Sequence, residues 1–209
     1  SETVSHGMRL SLFIGLPATV GLLVVRHDLV QVMFSGGGGF SDEGLTRSAA
    51  VLAGYSVGVF AYSLNHMLSR SFYALDDTLT PMRVSLAMVA VNLLCNLALI
   101  WSLREAGLAW STAISAVLQT LVLAFLLRKR IESNVSILPG AVRIALVSVI
   151  MGTLVWLTLH FIPEADTWTA SALRLTLAVV VGIGSYAGLA FALRMPELRW
   201  LARGRDGED

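Results

Sequence analysis

The chain has 209 residues, 56% of them hydrophobic and only 14% charged, with a formal net charge of +1 and a mean hydropathy of +0.73. A soluble domain is about one-quarter charged, so a water-soluble fold is excluded by the apolar surface it would have to hide, and the near-neutral charge carries no nucleic-acid signal. The lone cysteine, Cys95, rules out an internal disulfide.

A transmembrane helix needs about 20 mostly apolar residues. Six stretches approach or meet that length: 8–25, 48–72, 82–103, 106–127, 143–162 and 173–193. They are continuous, whereas barrel strands alternate over roughly ten residues, so the expected fold class is an all-α integral membrane protein with six transmembrane helices. The first stretch lacks an A-x-A-like cleavage site and five more follow it, so it is not read as a signal peptide. No linker, separate soluble domain or short-period repeat stands out.

In chain order, Pro17 is expected to bend the first span. The glycine run 36–39 lacks the G-K-[ST] ending of a phosphate loop and reads as a flexible connection. The helix after it is expected to be capped by Ser41 or Asp42, with Asp42 and Glu43 at its positive end. Span two carries Tyr55, Tyr62, His66 and Ser69 at spacings of 7, 4 and 3, on one helical face, with Asn65 beside it. A cavity wall and helix-to-helix bonding both fit that face. It is expected to look into the bundle, with Val57, Phe60 and Leu64 turned to lipid. His66 is open to proton relay or to packing.

The turn "RSFYALDDTLTP", 70–81, is flanked by Arg70 and Arg83. Pro81 suits a first helical turn, and Thr78 or Thr80 is expected to cap span three. Asp77 and Thr78 are expected to tie spans two and three, with Arg70 or Arg83 as ionic partner. Asn92 and Asn96 in span three, and Ser111, Ser115 and Gln119 in span four, recur every four residues; interhelical hydrogen bonding accounts for both sets, with cavity lining as the functional counterpart. Gly184 and Gly188 form G-x-x-x-G, a pattern that permits close helix approach. In the tail, Arg194, Arg199, Arg203 and Arg205 suit anionic headgroups while Leu198, Trp200 and Leu201 dip into lipid. His6, His27, His66 and His160 have no metal spacing, and no nucleophile–base set converges, so neither metal, cofactor nor catalysis is expected.

Eleven Lys and Arg fall on the side of the termini and of the 70–83 turn, against four (Arg26, Arg47, Arg104, Arg174) on the other. The asymmetry puts both termini in the cytoplasm.

The 70–81 turn resembles the R-A-F-Y-A-x-x-D-T-x-T-P turn of the MurJ/MviN family, the lipid II flippases of peptidoglycan synthesis. Arg70, Phe72, Tyr73, Ala74, Asp77, Thr78, Thr80 and Pro81 match it; Asp76 stands where a small residue is usual, and Leu79 where a basic one is. Pro17-Ala18 with Gly21-Leu22 resembles P-A-x-x-G-L, Asn92 and Asn96 match N-x-x-x-N, and Gly107-Leu108-Ala109 with Thr112 matches G-L-A-x-x-T. The segment "MFSGGGGFSDEGL" is similar to the family loop L-F-E-R-G-x-F-T-x-x-D, with Ser35 and glycine in place of the E-R pair. The order holds over about residues 8–130; the last two spans agree in hydropathy alone.

The resemblance implies the last six of fourteen spans in a two-lobed, MATE-like exporter fold: 1–130 as four helices of the C-terminal lobe, 131–194 as two additional helices, and 195–209 as a cytoplasmic basic tail. It implies a fragment whose partners are the missing N-terminal helices, membrane lipids and a polyprenyl-pyrophosphate-linked sugar (lipid II), in the bacterial cytoplasmic membrane. Candidate cavity residues are then Tyr55, Tyr62, Asn65, His66, Ser69, Asn92, Asn96 and Gln119. The last two spans would help form an apolar groove for the polyprenyl tail, with Leu146, Val149, Leu154, Trp156 and Leu177 as its lining. A related polysaccharide-lipid or multidrug exporter is the alternative within transport; a membrane scaffold or envelope-lipid enzyme subunit is the alternative outside it.

Overall fold

The computed structural model describes residues 2–35, 41–130, 138–163 and 167–203. Helices are the only regular structure among them: α1 (Glu2–Ser35), α2 (Asp42–Tyr73), α3 (Leu79–Leu103), α4 (Glu105–Arg130), α5 (Leu138–Phe161), α6 (Trp168–Ala192) and the short α7 (Pro196–Arg203). In a bilayer every backbone polar group must be satisfied within the chain, and long helices do this.

Among the described residues, five helices, α1, α3, α4, α5 and α6, are by length and composition apolar enough to cross a membrane. The sequence offers six apolar stretches, and six long helices form, one for each stretch; by length and composition alone α2 falls outside these five. The sixth long helix, α2, has the length at 32 residues but not the apolarity. Packing supplies the reason: α2 sits between α1 and α4 and buries its small residues against them.

The helices pack in the order α3, α4, α2, α1, with α5 and α6 against each other and both on α1. Contact between α2 and α4 is close because side chains there are nearly absent. A Cβ added to Gly54 would lie 2.7 Å from the Ala109 Cβ, so a larger residue would push the helices apart. Gly184 and Gly188 show the opposite: a Cβ at either would meet nothing within 4 Å. The expected G-x-x-x-G contact does not form among the described residues; Gly182, two residues before Gly184, faces Val155 instead.

α1 runs unbroken through Pro17. Proline has no N–H, so the Phe13 carbonyl loses its helical donor. The Tyr186 hydroxyl of α6 donates to that carbonyl at 2.7 Å. Sequence order gives no hint that a residue 173 positions away repairs the helix.

Three helix ends pass through a residue of positive φ, Asp76, Arg104 and Arg194, and the first and last of them close alike. Asp76 has φ 56°, with Asp77 N–H on Phe72 O and Asp76 N–H on Tyr73 O. Arg194 has φ 49°, with Met195 N–H on Ala190 O and Arg194 N–H on Phe191 O. Both are Schellman closures. The second drives Met195 into the core beside Leu12, Phe13, Ile144 and Ala190. This corrects the expectation for Leu198 and Trp200: Leu198 packs on the same core cluster and the Trp200 ring lies tilted against His6 with centroids 4.1 Å apart, so α7 docks on the bundle. Glycines 36–39 and Arg205 lie outside the described residues, as do the side chains of Arg199, Leu201 and Arg203.

Candidate functional site: a polar helix face, a knot at a turn and an apolar groove

Ser41 caps α2, accepting from Gly44 N–H at 3.2 Å. From there the helix divides its polar residues between two environments. Tyr55 and Tyr62 are 45% and 42% exposed, and His66 is exposed with them, while Ser69 is half-buried. Leu64, expected to face lipid, is buried in the core with Leu12 and Ile144, and Phe60 packs against that cluster. Phe60 also donates its backbone N–H to Thr19 Oγ1 of α1 at 3.2 Å. The exposed stripe is therefore polar and the covered one apolar, the reverse of a helix that simply sits in lipid.

The amides expected at the cavity wall lie between helices. Asn65 is buried; its Nδ2 donates to Ala116 O at 3.2 Å and its Oδ1 accepts from Thr120 Oγ1 at 3.0 Å. Asn92 Nδ2 donates to Ser115 Oγ at 3.2 Å, and Asn96 Nδ2 to Asn92 Oδ1 at 3.0 Å. Ser111 closes the chain by donating to Asn96 Oδ1. Gln119 Nε2 donates to Ser85 Oγ at 3.0 Å, joining α4 to α3. These amides hold α2, α3 and α4 together.

At the 70–83 turn Asp77 is the centre. Its Oδ1 accepts from Thr80 N–H at 3.0 Å and its Oδ2 from Thr80 Oγ1 at 2.7 Å. The Arg130 guanidinium is 2.9 Å from Oδ2. The Thr80 hydroxyl and amide, and then Arg130, hold the Asp77 carboxyl below its ordinary value. Two expectations are corrected. Thr78 occupies the N-cap position of α3 without a side-chain cap bond, and Asp77 supplies the acceptor instead. The ionic partner is Arg130 at the end of α4, not Arg70 or Arg83. Pro81 is buried in the first turn of α3, where its missing N–H costs nothing. The basic ending Arg128-Lys129-Arg130 was visible in the sequence, but its distance from the turn was not. At the opposite end, Arg47 of α2 pairs with Glu105 of α4, so α2 and α4 are clasped near both ends.

An apolar groove of about 460 Å³ opens between α1, α5 and α6, with Phe13, Ile14, Ala18, Met151, Val179 and Ile183 among its walls. The expected lining differs: Leu146, Val149, Leu154, Trp156 and Leu177 are exposed elsewhere and line none of it. The small residues of α1, Pro17, Ala18 and Gly21, make the concavity.

A model of the family described as lipid II flippase MurJ matches residues 1–179. Among curated relatives, a probable lipid II flippase MurJ of Rickettsia prowazekii (strain Madrid E) is 25% identical over 198 residues, covering 91% of this chain and 38% of the relative. That of Vibrio cholerae serotype O1 is 29% identical over 199 residues, covering 92% and 37%. That of Buchnera aphidicola subsp. Acyrthosiphon pisum is 31% identical over 161 residues, covering 77% and 31%. The chain thus spans well under half the length of the relatives it matches. A solved structure, the lipid II flippase MurJ in its inward closed conformation, superposes with a TM-score of 0.73 at 20% identity, over 92% of this chain and 42% of that one.

Proposed function

The chain belongs to the lipid II flippase MurJ family, and from that premise we propose that it supplies the C-terminal part of a transporter that moves lipid II across the bacterial cytoplasmic membrane. Residues 1–130 contribute four helices to one lobe, 131–194 two further helices beside it, and 195–209 a tail. Both termini are cytoplasmic, in line with the Lys and Arg asymmetry. The remaining helices of the transporter form the opposite lobe, and the two rock around a shared cavity.

The observation that carries this function is the open polar face of α2. Tyr55, Tyr62 and His66 are uncovered although the helix is flanked by α1 and α4. Unsatisfied polar groups in bare hydrocarbon cost several kcal/mol, so a water-filled cavity or another protein surface covers that face. The pyrophosphate-sugar head would meet Tyr55, Tyr62, His66, Ser69 and Gln119, while the polyprenyl tail lies in the apolar groove of α1, α5 and α6. Asn65, Asn92 and Asn96 keep the wall in register by bonding helix to helix.

Complementation of a flippase-depleted strain tests this. In the complete transporter, Tyr62→Leu with His66→Leu should insert normally and fail to restore growth. Full complementation by that double variant would refute a transport role for the face.

A further inference from the structure

The C-terminal parts of α1 and α5 and the start of α6 border a second, open pocket of about 320 Å³. The buried cluster Val25, Val155, Leu159 and Ala178 lies between it and the apolar groove. Its polar lining is His27, Asp28, His160 and Arg174, beside Trp156. Nothing in the proposed transport cycle uses these groups.

Arg174 is held there at a cost. Its side chain is 12% exposed and that of Asp28 13%, with Nε 3.4 Å from Asp28 Oδ1. Nη2 donates to Leu159 O at 2.8 Å. Nε is buried and makes no hydrogen bond, since the Asp28 contact is an ion pair only. A buried guanidinium with an unused donor is expensive unless something accepts from it. Trp156 and His160 stack at 5.2 Å with an interplanar angle of 11°, which presents the imidazole edge beside the aromatic wall. Three of the four polar groups thus carry N–H donors, and the one acid is paired with Arg174.

We propose that this pocket binds a phosphodiester, with Arg174 as the principal donor and His27 and His160 completing the cradle. Arginine suits a phosphate because its planar fork gives parallel charge-assisted hydrogen bonds. Two sources share that chemistry: a phospholipid headgroup and free phosphate. The pocket lies at helix ends, where tryptophan marks the membrane interface, and Ile162 and Pro163 make its remaining wall apolar. This favours the lipid. The site stands independently of the flippase assignment.

The test titrates the 209-residue chain in dodecyl maltoside with short-chain phosphatidylglycerol, with the matching diacylglycerol that lacks phosphate, and with inorganic phosphate, read by native mass spectrometry. Phosphatidylglycerol should be retained and diacylglycerol not. Arg174→Gln should weaken retention about tenfold, the value of one charged hydrogen bond. Inorganic phosphate bound with the same dependence on Arg174 would support the site with a free-phosphate source; phosphate ignored would support the lipid. Because Arg174→Gln strands Asp28, the pair Asp28→Asn with Arg174→Gln is measured beside it, as is His27→Ala with His160→Ala, two exposed positions. Equal retention of both lipids, or unchanged affinity in the double variants with helical circular dichroism intact, overturns the proposal.

Discussion

Pro17 and Tyr186 should be energetically coupled, because one residue creates a vacancy that the other fills. Tyr186→Phe removes the 2.7 Å hydrogen bond to Phe13 O but leaves the ring, which packs on Phe13 with centroids 5.2 Å apart. Phe13 is buried, so its carbonyl would be left without a donor. A stranded buried group costs about 1–3 kcal/mol, and interhelical hydrogen bonds in membrane proteins average about 0.6 kcal/mol. Tyr186→Phe should therefore destabilise by about 1–2 kcal/mol. In a Pro17→Ala background the residue-17 N–H can bond Phe13 O in the ordinary helical way, and the same Tyr186→Phe change should cost less than about 0.5 kcal/mol. Unfolding of the four proteins by SDS, followed by far-ultraviolet circular dichroism, gives the coupling directly. An equal cost of Tyr186→Phe in both backgrounds would refute the repair of the Pro17 gap by Tyr186.

Asp77→Ala should lower folded yield and complementation in the complete transporter, while Asp76→Gly should be tolerated or mildly stabilising, because glycine suits φ 56° without strain; damage from Asp76→Gly alone would reverse these roles. The Asp77 carboxyl is held below its ordinary 3.8, so its contribution is fully present above that value and is lost as pH falls through the lower, folded-state value; an acid unfolding curve for Asp77→Asn should lack that loss. With Cys95→Ser as background, single cysteines at 77 and 38 should be labelled from the cytoplasm and from outside, respectively, and the opposite pattern would invert the topology. Cysteines at 62 and 66 should react with water-soluble thiol reagents faster than one at 64, where Leu64 is buried; uniform reactivity would leave the α2 face as packing only. Gly54→Leu should separate α2 from α4, since even a Cβ there meets Ala109 at 2.7 Å, and wild-type thermal stability of that variant would contradict the close packing.

The sequence by itself determined what depends on solvent and on neighbours along the chain. Long apolar runs in a poorly charged chain specify membrane helices, because only a helix satisfies its own backbone in lipid. The cap of α2 could be narrowed to Ser41 or Asp42, and 70–81 named as a tight turn, because capping and turn chemistry act over three or four residues. The ordered family motifs were legible for the same reason. Tertiary structure alone decided what depends on which helix lies beside which. Periodicity grouped Tyr55, Tyr62 and His66 on one face, but only the neighbours α1 and α4 set that face in the open and turned Leu64 inward. Hydropathy counted α2 among six equal spans, whereas its place between two helices explains why it is less apolar than the rest. Thr78 and Thr80 were equal candidates to cap α3, and geometry assigned the work to Asp77 with Arg130, 53 residues later in the chain. Arg174 and Asp28, 146 residues apart, meet only because α6 packs on α1. Such pairings carry no periodic or local signal, because the energy that selects them is released only when the helices dock.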